Sequence, residues 1–423
     1  MSRDKRSLSN LGGPTESRGD PAFAVPLVSA LEAQEDSADL LTHGFHAYPA
    51  RMHPRLVRAL LAAFSPGAGA SVLDPFCGSG TVAIEAAVGG WRSLGSDLDP
   101  IALRLARVKS ERRDQASLAA FMMRVEAVGE ASEIRVRDRV DVKARLDAQE
   151  RGWYEVHVLK EMAGLLEEIR RVEHDGDRKA MEMVFSSLVV KFSKQRSETS
   201  QVQVEKKIRK GLVTEFFVRK SSELAKRWDS LHAALPKGSY RPKFVLSDAR
   251  KLPHTLGAEY RCDVVLTSPP YGGTYDYATH HSRRHAWLGI GTGALARDEI
   301  GARRQFSRRT NKGAKDDPNT AKRTWDQQML ATLQTIETLL LPSGIALLVL
   351  GDGELGGETM RADQQLERLA PRAGLEFLAC ARQPRREAEH SETGERGQIE
   401  GWGGSKPQRW QGRYEHVVAL MRP

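Results

Sequence analysis

Apolar runs and the turn residues between them divide the chain into elements before any single residue is singled out. Val72 with Leu73, the run closing on Leu94, Phe244 to Leu246, Val264 to Leu266 and the stretch IALLVLGDG are short apolar segments bounded by turns, the pattern of buried strands. Between them the spacing becomes helical. Leu56, Leu60 and Leu61 predict a helix from His53 to Phe64, ended by the SPG at Ser65 to Gly67. Thr81 to Val88 predicts a second helix, and Trp325 to Leu340 another, closed by an LPSG turn. GLEFLACAR and the later YEHVVALMR read as a closing pair of strands. Strands alternating with helices imply an α/β chain built on a doubly wound, mostly parallel sheet, with a C-terminal antiparallel strand pair.

The alternation stops between Ser110 and Arg241. Val158, Met162, Leu165 and Ile169, then Met183, Phe185, Leu188, Val189 and Phe192, recur near helical spacing, so 111–240 is expected to be a large helical insertion. The α/β domain is therefore discontinuous, 41–110 and 241–423. Residues 1–40 are polar at their start and are expected to form a disordered tail. The Gly-rich, polar stretch 383–412 is expected to be a loop that orders on nucleic acid.

Composition narrows the setting. The chain of 423 residues, 40% hydrophobic, is long enough for a large domain and an insertion without covalent staples. Cys77, Cys262 and Cys380 are far apart and form no CxxC, which points away from a disulfide framework or structural zinc, and no metal is expected. No run approaches a membrane span, and the first 20 residues, MSRDKRSLSNLGGPTESRGD, contain no apolar signal core, so a cytoplasmic setting is expected. A net charge of +9 fits a polyanionic partner.

Two stretches carry candidate chemistry. In SVLDPFCGSGTVAIEAAVGGWRSLGSDLDP an apolar strand ends on Asp74, Gly78 and Gly80 make a turn, a helix follows, and a second strand closes on Asp97. That is half of a nucleotide-binding βαβ unit: the glycines let a cofactor approach the backbone, and a carboxylate at the second strand end can accept ribose hydroxyl protons. The turn is not GxGxxG and lacks a P-loop lysine, which disfavours NAD and ATP. In VVLTSPPY a buried strand ends in two prolines, which remove backbone donors and stiffen the exit. Ser268 and Tyr271 are thereby aimed outward at the carboxyl end of the sheet, where open α/β sheets bind ligands.

DPFCGSG, GSDLDP, TSPPY and the preceding YPARMHPRLVRALL together resemble the S-adenosylmethionine-dependent amino-methyltransferases of DNA, whose serine-headed catalytic motif is typical of the cytosine-N4 branch. The resemblance implies a Rossmann-like methyltransferase fold and S-adenosylmethionine as cofactor. It implies cofactor contacts at Tyr48, Pro49, Asp74, Phe76, Gly78, Gly80, Thr81, Asp97 and Asp248, the last facing the adenine, and catalysis at Ser268, Pro269, Pro270 and Tyr271. Asp99 stands as either a further cofactor contact or a helix cap. The chemistry agrees. An exocyclic amine is a weak nucleophile, so a catalyst should accept hydrogen bonds from its N–H groups; Ser268 Oγ and the Pro269 carbonyl could do so while Tyr271 stacks on the base. A paired base cannot reach such a pocket, so flipping follows for a duplex. The activity implied is site-specific transfer to cytosine N4 in DNA, with a cognate restriction endonuclease as a possible partner. Adenine-N6 transfer in DNA, amino transfer in RNA and a non-catalytic nucleic-acid-binding role remain as alternatives.

Basic and polar stretches supply candidate substrate contacts. In the insertion, Lys191, Lys194, Arg196, Lys206, Lys207, Arg209, Lys210, Arg219 and Lys220 are candidates for phosphates, and Gln195, Ser197, Thr199 and Gln201 for base edges, which would make 111–240 a DNA target-recognition region. After the catalytic motif, Tyr275, Tyr277, His280 and Trp287 are candidate pocket residues, with Arg283, Arg284, Arg303, Arg304, Arg308 and Arg309 along a backbone.

Overall fold

A computed structural model describes residues 11, 13–35, 38–67, 69–198, 200, 202–274, 276–306, 318–355, 358–385 and 413–423. Tyr275, Thr199, Gln201, Arg308, Arg309 and most of the 383–412 stretch lie outside the described residues. Ten strands are present among them: β1 (Glu16–Gly19), β2 (Ser71–Asp74), β3 (Arg92–Asp97), β4 (Lys243–Leu246), β5 (Cys262–Thr267), β6 (Leu340–Gly351), β7 (Gly353–Leu355), β8 (Glu358–Met360), β9 (Glu376–Pro384) and β10 (Tyr414–Met421). Eight form one sheet in the order β1-β9-β10-β6-β5-β2-β3-β4, while β7 and β8 pair separately. The strands from β6 through β5, β2 and β3 to β4 pair in parallel; β10 then runs antiparallel to both β6 and β9.

Sheet order reverses between β2 and β5, since β3 and β4 continue to one side of β2 and β5 and β6 to the other. Their carboxyl ends diverge there into a crevice, the place where open α/β sheets hold ligands. Period-two alternation explains how the sheet is buried on both faces. Val72, Val264 and Val349 enter one core with α1 (Pro21–Glu32) and α2 (Pro54–Ala63). Leu73, Val265 and Leu348 enter another with the helices Pro318–Leu339 and Ala362–Leu369. Helix α3 (Thr81–Val88) joins β2 to β3 and α4 (Pro100–Lys109) leaves β3.

The expected disordered tail is corrected over 16–32. β1 pairs antiparallel with β9, from Glu16 opposite Arg382 to Gly19 opposite Ala379, and α1 follows at once. Asp20 caps α1 by accepting from the Ala22 N–H, Pro21 starts it, and Leu27, Ala30 and Leu31 are buried. The LPSG stretch, expected as a turn, lies inside β6, where Ser343 takes a left-handed φ of 59°.

The insertion is helical as expected: α5 (Gln115–Arg137) and the helices Val156–Arg170, Asp175–Phe192 and Leu212–Ala234 pack together. Its core is continuous with the α/β domain. Phe45, Ile101, Leu105 and Val108 share one cluster with Phe121, Met162, Leu165, Phe185 and Trp228. Trp228 Nε1 donates to the Val108 carbonyl at 2.7 Å, tying the last helix of the insertion to the end of α4.

Candidate active site

A cleft opens at the carboxyl ends of β2, β3 and β5. Its floor is the DPFCGSG turn. Cys77 N–H bonds to the Ser96 carbonyl at 2.8 Å and Gly80 N–H to the Cys77 carbonyl at 2.7 Å, which folds the turn back on β3. Gly78 (φ 46°) and Gly80 (φ 85°) are left-handed, and both are crowded: a Cβ would stand 3.0 Å from the Tyr48 ring at Gly78 and 2.9 Å from Ala106 Cβ at Gly80. Any side chain there would push Tyr48 away or separate the turn from α4.

Of the two predicted strand-end carboxylates, Asp97 lines this floor, while Asp74, like Gly80, lies behind it and does not. Asp74 is buried, and its Oδ1 accepts from the Thr267 hydroxyl at 2.6 Å and the Phe76 N–H at 3.1 Å. Its Oδ2 is buried with no partner, and burial pushes its carboxyl up to about 7. Asp97 accepts one backbone N–H on each oxygen, from Gly78 at 2.8 Å and Asp99 at 2.9 Å. Burial, then the neighbouring Asp99 charge, raise its pKa to about 7 as well. A buried acceptor with spare lone pairs beside a turn that leaves the backbone bare suits the ribose hydroxyls of S-adenosylmethionine. The residues present therefore fit that cofactor. Tyr48, Phe76, Thr81 and Asp248 also line the cleft, while Pro49 does not. Asp248 is engaged by Arg250, whose guanidinium approaches it at 2.6 Å.

Ser268 and Pro270 reach the cleft from the end of β5. Pro269 and Tyr271 do not line it. Tyr271 is buried, donates its hydroxyl to Glu415 Oε1 on β10 at 2.7 Å, and lies under the Arg385 guanidinium at 5.2 Å. Arg385 also donates to Glu415 at 2.5 Å. Burial, then the Glu415 charge, hold the phenol well above its usual range. The tyrosine expected to stack on a base thus anchors the rigid strand exit to the antiparallel half of the sheet.

The wall is made by the segment after the catalytic motif. Tyr277 lines the cleft, as do Leu295, Asp298, Glu299 and Ile300. Glu299 accepts from the Tyr277 N–H at 2.6 Å and from Arg304 at 2.5 Å. Asp99 resolves to a cap and more: Oδ1 accepts from Ile101 N–H at 2.9 Å, opening α4, and the carboxylate also meets His285 Nε2 at 2.8 Å and His281 Nδ1 at 2.5 Å. Burial opposes ionisation, yet the two histidines hold Asp99 well below the usual carboxylate range. His281 lies 5.0 Å from the Tyr48 ring centroid, so this buried cluster joins the wall to the cofactor turn.

Several expected substrate contacts are placed elsewhere. Arg284 is buried, donating to Glu198 at 2.5 Å and to the Ser186 carbonyl at 3.2 Å. Arg283 is buried against the Trp153 ring at 3.7 Å, near Glu150. Neither faces a nucleic-acid backbone, because each is consumed in fixing the wall to the insertion. Trp287 belongs to the insertion core and donates to the Tyr154 hydroxyl at 2.9 Å. Arg209 pairs with Glu215, and Lys207 is exposed. Among the described residues, Asp363, Cys380 and His416 bring possible metal-ligand atoms within 4.8 Å of one another. That group lies outside the cleft, with Asp363 already paired to Arg18 and His416 to Asp352.

No helix among the described residues is long and apolar enough to cross a membrane. Residues 45–154 match the family described as UPF0020, RMKL-like, methyltransferase domain. This span holds Tyr48 and both cofactor motifs and continues through α5 into the insertion. The chain is similar to the type II methyltransferase M.MvaI of Kocuria varians, 26% identical over 276 residues, 59% of this chain and 58% of that protein. It is 44% identical over 52 residues to the tRNA (guanine(10)-N2)-dimethyltransferase of Methanothermobacter thermautotrophicus, 12% of this chain and 16% of that one. It is 32% identical over 81 residues to the type II methyltransferase M.MjaII of Methanocaldococcus jannaschii, 19% of this chain and 15% of that protein. The chain thus spans little more than half of the first relative and about a sixth of the other two.

Proposed function

We propose, for a chain that carries a Rossmann-like S-adenosylmethionine-dependent methyltransferase domain, that it transfers a methyl group to the exocyclic N4 of cytosine in DNA, with the base turned out of the duplex. The observation that carries this reading is the meeting in one cleft of Gly78 and Asp97 with Ser268 and Pro270, brought from strands on the two sides of the sheet's reversal point. S-adenosylmethionine, when bound, supplies a methyl already activated by the sulfonium charge. Asp97, which lines the cleft, accepts hydrogen bonds from the ribose hydroxyls. Ser268 Oγ, which lines the cleft, accepts a hydrogen bond from the amine, which raises the nitrogen's electron density as it is aligned with the methyl; the one proton released on transfer passes to solvent. Tyr271, tied to Glu415, keeps that exit from shifting when the base enters. Serine rather than an acidic or amide residue at 268 supports cytosine, and two relatives named as type II methyltransferases support DNA. A nuclease of the same sequence specificity is the partner to seek.

The short, closer match to a tRNA guanine-N2 enzyme favours a second reading, amino transfer in RNA. One experiment separates them: transfer from labelled S-adenosylmethionine to duplex DNA, single-stranded DNA and bulk RNA in parallel, with nucleoside analysis. N4-methylcytosine from DNA is the expected product. Label in RNA alone, or in N6-methyladenine, would overturn the substrate while keeping the cleft.

A further inference from the structure

Three cations meet on the insertion without an acidic partner. Lys191 Nζ lies 4.4 Å and the Arg219 guanidinium 3.8 Å from the centroid of the same ring, Phe216. Lys206 approaches the same place, its ammonium donating to the Lys191 carbonyl at 3.1 Å and the Val190 carbonyl at 3.4 Å, at the end of the helix Asp175–Phe192. None of the three forms an ion pair among the described residues. Glu198, whose charge reaches Lys206, is paired with Arg284. Burial and then their neighbours' positive charge lower the proton affinity of Lys191 and of Lys206. Like charges held this close cost free energy that an anion would recover.

A paired segment of chain leads from the patch toward the cleft. Gln195 bridges Gln203, Arg196 N–H bonds to the Val202 carbonyl at 3.0 Å, and Val204 N–H to the Lys194 carbonyl at 2.7 Å. Its base therefore lies between Lys191 and Lys206. Its far end is fixed at Glu198, whose carboxylate takes Arg284 at 2.5 Å and whose carbonyl meets His280 at 3.5 Å. His280 and Arg284 follow Tyr277 of the cleft wall by three and seven residues. One short element thus runs from unpaired positive charge to the wall of the reaction cleft.

Resting on the methyltransferase reading above, we infer that Lys191 and Arg219 on Phe216, with Lys206 beside Lys191, bind backbone phosphates of the DNA strand flanking the target base, with the paired segments 194–196 and 202–204 carrying the strand toward the cleft. Spaced phosphates fit better than a single small anion, because the cations come from three separate segments of chain.

The test is binding without turnover, with cofactor omitted and a short labelled DNA duplex titrated over a range of salt. The Lys191→Met, Arg219→Met double variant keeps the side-chain stems on Phe216 and removes two charges. Affinity is expected to fall roughly tenfold, and the slope of log affinity against log salt to flatten by about 2, since each lost phosphate contact removes roughly 0.9. S-adenosylmethionine affinity should not change. Lys191→Arg with Arg219→Lys should keep the slope. Lys237→Ala with Arg261→Ala, exposed at the opposite end of the strands, should leave it intact. An unchanged slope in the Met variant, or the same loss in the distant control, would overturn the inference. Loss for an RNA duplex but not DNA would overturn the partner. If the wild-type chain methylates neither DNA nor RNA while the slope still flattens, the surface stands and the methyltransferase reading fails; transfer with no change in slope fails the surface alone.

Discussion

Behind the floor of the cleft Asp74 keeps one oxygen without a partner, and on the floor Asp97 meets backbone N–H groups, whereas on the wall Asp99 is held by two histidines and the first turn of α4. Burial works against ionisation at all three carboxylates, yet the first two are pushed up to about 7 and the third is held far down. Burial is common to all, so the partners decide the outcome. An acid left short of partners costs the fold something. An acid saturated by partners holds shape.

The contrast predicts that floor and exit substitutions change binding or turnover and spare stability, while wall substitutions do the reverse. The largest effect should come from Ser268→Ala, a loss of roughly 10²-fold in kcat at unchanged cofactor affinity and melting temperature, measured by single-turnover transfer and calorimetry. His285→Ala breaks the wall instead. It leaves buried Asp99 short of a partner and should cost about 3 kcal/mol in a denaturant titration. Because the folded pKa of Asp99 is depressed, its contribution is present above about pH 4 and lost as pH falls below that, so the variant and wild type should converge in acid.

Asp97 has the opposite sign. Its folded pKa lies above its unfolded one, so stability from this group is greatest below about pH 4 and is lost as pH rises toward 7. Cofactor hydroxyls donate to the ionised form, and affinity should therefore rise by up to about tenfold per unit from pH 5 to 7, with proton release on binding seen by calorimetry in two buffers. Asp97→Asn should bind more weakly and flatten that pH dependence; an unaltered profile would remove Asp97 from the cofactor site. The smallest effect should be that of Glu415→Gln, a few-fold fall in kcat through a less firmly held Tyr271, with cofactor affinity unchanged.

The sequence made the floor legible because its signals are local: DPFCGSG, Asp97 and SPPY each report their own turn or strand end. The parallel sheet followed from the same apolar runs, and the β9–β10 pair from two more. What stayed hidden depends on partners far along the chain. Asp99 reads only as a cap until His281 and His285 are folded against it, more than 180 residues later. Arg284 reads as a phosphate contact until Glu198 claims it. Tyr271 reads as a stacking ring until Glu415 arrives 144 residues downstream. The first strand and helix were missed for another reason: β1 is a short charged edge strand, ESRG, and its stability comes from β9. Asp20-Pro21 before Leu27 and Leu31 was the one local sign of α1.

That edge strand also sets a clock. Glu16 meets Arg382 across 366 residues of chain, so during synthesis the amino-terminal segment waits for nearly the whole polypeptide, on the order of 20 to 70 s at ordinary elongation rates, before its docking site exists. β1 therefore joins the sheet only after β9 has been made.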